Sequence, residues 1–131
     1  MSGTFTTWQV ELLTRAMTVA ARRQEALANN VANADTPGFK RSDVHFREEL
    51  ERAGRTLRLV TTDGRHLQPR RQDMAPVPVR EMTSGRSDGN NVDLEYELAS
   101  LAENGLWYQA LTRQLSARFA LWRTAITEGR K

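Results

Sequence analysis

Residues 28–40 read Ala28-Asn29-Asn30-Val31-Ala32-Asn33-Ala34-Asp35-Thr36-Pro37-Gly38-Phe39-Lys40, and this run marks where a helix stops and the chain turns. Pro37 disfavours helical geometry at Thr36, and Asn33 belongs to a residue type that tolerates the left-handed conformation in which helices often end. The helix end is therefore expected between Asn33 and Asp35. Thr36-Pro37-Gly38-Phe39 then reads as a type II turn, with Pro fixing the first central φ and Gly supplying the positive φ of the second.

Working back from this turn, Leu13, Met17, Ala20, Gln24, Leu27, Val31 and Ala34 step alternately by four and three residues, the spacing that keeps one seam on one side of a helix. A start near Thr6 or Thr7 is expected, with a Thr hydroxyl as cap, Glu11 near the positive helix end and residues 1–5 frayed. Working forward, Leu94, Leu98, Leu101, Gly105, Tyr108, Thr112, Leu115, Phe119, Trp122 and Ile126 repeat the alternation without a skip and predict a second helix over about Leu94–Thr127. Asp93 suits its N-cap, and Glu95 and Glu97 place negative charge in its first turn. At about 1.5 Å per residue the two helices are on the order of 40 and 50 Å long.

Between them no helical period persists. Leu57–Val60 and Val77–Val79 read as short strands or extended loops, and Asp63-Gly64 as a hairpin turn. The fold expected is mainly α: long N- and C-terminal helices paired as an antiparallel coiled-coil-like hairpin. Its three parts are residues 1–39 (first helix and turn), 40–91 (an irregular, short-β, charged middle) and 92–131 (second helix). The seam is assigned to Leu13, Met17 and Leu27 facing Leu94, Leu98, Leu101, Tyr108, Leu115, Phe119 and Trp122.

Composition limits what such a hairpin does. Leu, Ile, Val and Phe number 27 of 131 residues, so the core is small and a lone pair of helices leaves apolar residues such as Leu106, Leu111 and Leu121 off the seam. Other subunits are expected to bury what one chain cannot, leaving a free monomer partly disordered. The net charge of +3 arises in residues 40–91, where eleven Lys or Arg mix with eight Asp or Glu. That is a field of both signs, unlike a dedicated polyanion surface. Cysteine is absent, so thiol nucleophiles, thiolate metal sites and disulfides are excluded. No run of about 18 apolar residues and no basic-then-apolar leader is legible, so neither a membrane span nor a Sec-type signal is expected.

Residues 28–40 resemble the N-terminal signature of the flagellar axial proteins, the family of rod, hook and hook-associated subunits: Asn, aliphatic, small, Asn, two variable residues, then Thr-Pro-Gly-aromatic. On this resemblance Asn29, Asn30, Val31, Asn33, Thr36, Pro37, Gly38 and Phe39 form a subunit-interface signature. Gly89-Asn90-Asn91-Val92-Asp93-Leu94-Glu95, Leu101-Ala102-Glu103-Asn104 and Tyr108-Gln109-Ala110-Leu111 are similar to the wording of a proximal-rod branch distinct from FlgC, in which an Asn is expected after Tyr-Gln/Glu-Ala. Gly105 and Trp107 depart from that wording, which expects longer polar residues.

The resemblance implies a structural subunit that self-associates into the hollow, torque-transmitting rod between the MS ring and the distal rod and hook. Implied neighbours are FlgC- and FlgF-type rod proteins, the FliE adaptor and the MS-ring protein, with passage through the flagellar type III export apparatus on an uncleaved signal to a periplasmic position. It implies no cofactor and no catalytic or metal residue. Catalysis also fails on the residues themselves: His45 and His66 are isolated, Glu48, Glu49 and Glu51 form a charge run, and no carboxylate pair has a fixed glycosidase spacing. Asp88–Asp93 lacks the sixth-position Gly and twelfth-position Glu of a calcium loop. Two other readings compete: a cytosolic coiled-coil adaptor, which gives no reason for the Asn-rich turn, and a basic nucleic-acid binder, which the interspersed acids oppose.

Overall fold

The computed structural model describes residues 2–49, 51, 78–82 and 86–128. They form two long helices, α1 (Ser2–Ala32) and α2 (Leu94–Glu128), and two short strands, β1 (Ser42–Asp43) and β2 (Val79–Arg80). The helices run antiparallel: Glu97, early in α2, meets Asn30 late in α1, whereas Asn104 meets Gln24 and Ala20 further back. The mainly helical hairpin with short strands between its arms is thus the architecture expected from the two periodic segments. No described helix is long and apolar enough to cross a membrane.

Two details of α1 differ from the sequence expectation. It runs back to Ser2, through residues expected to fray. Extending an existing helix adds one hydrogen bond per residue fixed, whereas starting a new one is costly. At its other end α1 does not stop on a left-handed Asn, since among the described residues only Gly38 (φ 71°) and Gly89 (φ 80°) have positive φ. Instead the last turn tightens: Asn33 N–H donates to the carbonyls of both Asn29 and Asn30 at 3.1 Å, and Ala34 N–H to Val31 at 3.3 Å. The expected type II turn follows, with Phe39 N–H donating to the Thr36 carbonyl at 3.2 Å and Gly38 at the positive-φ position.

After the turn, β1 pairs antiparallel with β2, Ser42 opposite Arg80 and Asp43 opposite Val79. Val79 thus joins a strand, as its apolar run suggested; Leu57–Val60, Asp63-Gly64 and His66 lie outside the described residues. A second turn over 86–90, closed by Gly89 N–H on the Arg86 carbonyl and Arg86 N–H on the Asn90 carbonyl, lies against the first. Gly38 N–H donates to the Asp88 carbonyl at 3.0 Å, and a Cβ built on Gly89 would sit 3.6 Å from the Gly38 Cα. Asp93 caps α2 as expected, its Oδ1 accepting from the N–H groups of Glu95 and Tyr96.

The core is small. α1 buries Ala16, Val19, Ala20, Ala26, Leu27 and Asn30, and α2 answers with Glu97, Ser100 and Asn104, with Val44 and Val92 closing the end. Alanines at 16, 20 and 26 permit close approach, close enough for Asn104 Nδ2 to donate to the Ala20 backbone carbonyl at 2.9 Å. Ala20→Leu is therefore expected to cost about 1–3 kcal/mol through overpacking. Ala21→Leu, one residue along on the exposed side, should stay within about 0.5 kcal/mol. Urea unfolding followed by circular dichroism separates the two.

Candidate functional site

Where the helix ends, turns and strands meet, the chain builds a polar joint. Asn30, with no exposed surface, uses its side-chain amide as a strand uses its backbone: Oδ1 accepts from Ser42 N–H at 2.9 Å and Nδ2 donates to the Ser42 carbonyl at 2.8 Å. The same Nδ2 donates to Glu97 Oε2 at 3.0 Å, so one side chain ties α1 to β1 and to α2. Glu97, also without exposed surface, takes its other partner from Arg41, whose Nε donates to Oε1 at 2.6 Å.

Arg41 is the centre of the charge pattern. Its Nη1 donates to Glu81 Oε1 at 2.6 Å, its Nη2 lies 3.8 Å from Asp43 Oδ2 without a hydrogen bond, and the guanidinium stands 5.0 Å from the Tyr96 ring centroid. Burial opposes the charge, but the hydrogen bonds to Glu97 and Glu81 outweigh it and hold Arg41 above the ordinary arginine range. Asp43 in turn accepts a bidentate pair from Arg23 Nε (3.0 Å) and Nη2 (3.3 Å). Burial works against Arg23 too, and the hydrogen bond to Asp43 overcomes it, raising its pKa.

Asn90 closes the other side. Its buried Nδ2 lies within hydrogen-bonding distance of three carbonyls at the end of α1: Asn33 at 3.1 Å, Ala34 at 2.9 Å and Thr36 at 2.8 Å. These carbonyls follow the last residue of α1, where the chain leaves the helix, and a side chain from a distant turn supplies their donor. Asn90 Oδ1 accepts from Val92 N–H at 2.7 Å. Asn91 works beside it, accepting from Arg41 N–H and donating to the Glu81 carbonyl.

Of the signature residues, then, Asn30 is an internal tie, while Asn29, Thr36, Pro37 and Gly38 are exposed and Val31, Asn33 and Phe39 half-buried. Asn29 accepts from Asn33 Nδ2 through both its backbone and side-chain oxygens. A groove of about 520 Å³ runs along this outer side, lined by Asn29, Gly38 and Phe39 with Arg22, Lys40 and Arg80 among others.

The seam needs correction on α2. Leu27 is buried and Leu13, Met17, Leu101, Leu115 and Trp122 are half-buried, but Leu94, Leu98, Tyr108 and Phe119 are exposed, at 46%, 50%, 41% and 50%. The covered face is instead Glu97, Ser100, Leu101 and Asn104, turned by roughly three-quarters of a residue's step of about 100°. Polar partners decide the rotation: the hydrogen bonds that Asn30, Arg41 and Gln24 make to α2 go to Glu97 and Asn104, and a buried polar group without a partner is costly. Glu97, read as a dipole charge in the first turn, is thus an interior ion-pair partner. Arg41, Asp43, Asn90 and Asn104 have roles that periodicity does not mark, because their partners lie twenty to eighty-four residues away.

What these features define is a helical hairpin locked at one end by a polar joint, with an apolar stripe left outside it. A profile of the family described as "Flagella basal body rod protein" matches residues 11–40, which cover most of α1 and the turn. The flagellar basal body rod protein FlgB of Bacillus subtilis (strain 168) is 33% identical over 122 residues, covering 92% of this chain and 95% of that one. FlgB of Escherichia coli (strain K12) is 35% identical over 112 residues, with 79% and 81% covered, and that of Proteus mirabilis (strain HI4320) 39% over 104, with 72% and 76%. The chain belongs to the FlgB family of flagellar basal body rod proteins.

Removing Glu97 by substitution to Ala leaves Arg41 buried against a lost carboxylate and is expected to cost about 3–5 kcal/mol. Asn90→Ala, which strips three carbonyls of a shared donor, should cost about 1–3 kcal/mol. Glu95→Ala, at an exposed neighbour, is the near-neutral comparison, and chemical denaturation of the three variants checks the order.

Proposed function

We propose that this chain builds the proximal part of the rod, the hollow shaft between the MS ring and the distal rod and hook. The coarser statement follows from the family: the chain is a structural subunit of the flagellar basal body rod, needed for flagellum-dependent motility. The finer reading rests on the exposed stripe. Leu94, Leu98, Tyr108, Phe119 and Ile126 lie along one flank of α2, beside the face that α1 covers, and all are exposed. An amphipathic helix with its apolar flank in water is completed by burial against another chain.

In this reading, copies of the chain and neighbouring FlgC- and FlgF-type rod proteins cover the stripe. The FliE adaptor and MS-ring protein meet the assembly at its base, and the groove lined by Asn29, Gly38 and Phe39 seats one of these neighbours. In the same reading the subunit reaches a periplasmic position through the flagellar type III export apparatus.

The test is replacement in a motile bacterium whose own FlgB is deleted. The unaltered chain is expected to restore swimming. Leu94→Lys/Leu98→Lys is expected to keep the parent's helicity and melting temperature as a free chain, yet to reduce swimming to the level of the deletion and to be missing from isolated basal bodies. Normal swimming by that variant would refute the role given to the stripe.

A further inference from the structure

Three side chains on the α1-facing side of the C-terminal segment are polar and essentially without exposed surface: Asn90, Glu97 and Asn104. They are spaced by seven residues and seven, one heptad each, although Asn90 precedes the helix. Their hydrogen-bonding sense toward α1 alternates. Asn90 donates to carbonyls just past the end of α1, Glu97 accepts from Asn30 on α1 and from Arg41 in the segment entering β1, and Asn104 donates to the Ala20 carbonyl and to Gln24 Oε1 at 2.7 Å.

Apolar seams do not discriminate between a pairing and the same pairing moved by one heptad, because the repeat superimposes on itself. This chain has that weakness, since the apolar part of the α1 face that α2 covers is largely alanine, with Val19 and Leu27 as its only larger buried side chains among the described residues. We infer that Asn90, Glu97 and Asn104 form a register key, which admits the α1–α2 pairing in one alignment and rejects alignments displaced by a heptad. Moved one way, the Glu97 carboxylate would face the Ala20 carbonyl and Gln24 level, acceptor against acceptor. Moved the other way, neutral Asn104 would face the Arg41 level and leave that cation without its carboxylate, while Leu111 would stand where the Ala20 carbonyl now receives a donor. A buried polar group that fixes alignment at some cost in stability is the best-attested use of such groups in paired helices. The key also distinguishes the chain's own α2 from an apolar helix of a neighbouring subunit, which would offer α1 no matching donors and acceptors.

The chain has no cysteine, so introduced pairs report alignment directly. Met17 and Leu111 lie one heptad beyond the Gln24–Asn104 contact, so Met17→Cys/Leu111→Cys reports the native register and Met17→Cys/Arg118→Cys a one-heptad displacement. With the key intact, oxidation is expected to link the first pair and leave the second below about one-twentieth of that yield. In the background Arg41→Met/Asn90→Ala/Glu97→Leu/Asn104→Leu, the displaced disulfide should rise at least tenfold with helicity retained. Should that background lose its helicity, the isosteric Asn104→Asp decides: it sets a carboxylate against the Ala20 carbonyl and is expected to lower the native disulfide at least fivefold. An exclusively native disulfide in Asn104→Asp, or in the helical apolar background, overturns the inference.

Discussion

Glu97 holds a carboxylate with no exposed surface between two helices, and the rest of the described structure follows from keeping that charge satisfied. Its partners come from three directions: Asn30 from α1, Arg41 from the segment entering β1 and, through Arg41, Glu81 from the segment leaving β2. A buried charge without such partners is very unfavourable, so the closed helix pair requires the strands and turns in the places they occupy. Asn30 adds a bridge to the Ser42 backbone, and Arg23 reaches Asp43 at the far side of the same cluster. The irregular middle of the sequence is therefore joined to the helix pair, at least in the described residues that flank it.

Satisfying this joint rotates α2. Its apolar stripe then faces outward, and the described core is small, four alanines with Val19, Leu27, Val44 and Val92 as the larger apolar groups. The aromatic residues further along add little cover: Phe46 stacks near Trp107 at 6.1 Å and Phe119 meets Trp122 edge-on at 5.5 Å, yet Trp107 and Phe119 are each half exposed. A chain that keeps its polar groups inside and its apolar flank outside is built to finish its burial in an assembly. Membership of the FlgB family supplies the assembly, the flagellar basal body rod.

Much of this was legible in the sequence. The two four-three alternations gave both helices, Pro37 and Gly38 gave the turn, Asp93 gave the cap of α2, and the Asn-rich run with its Thr-Pro-Gly-Phe ending gave the family resemblance. The face of α2 turned toward α1 was misread because an apolar count treats Glu97 and Asn104 as solvent-facing, whereas each has a partner distant in sequence that makes its burial favourable. Asn90 stands in the stretch that precedes α2, and its side chain holds the turn that follows α1, more than fifty residues earlier. Arg41 lay in a stretch rich in both charges, where nothing local separates an interior guanidinium from its exposed neighbours. The buried polar spacing of 90, 97 and 104 is visible in the sequence only once one knows which face is inside.

The central claim is that the polar joint closes the hairpin while the stripe on α2 stays open for neighbours. Its most direct test is maleimide labelling of Leu98→Cys, the single thiol in an otherwise cysteine-free chain, in the free protein and in isolated basal bodies. Fast labelling of the free chain and protection in the basal body are the expected result. Equal reactivity in both states, or protection already in the free chain, would contradict the account.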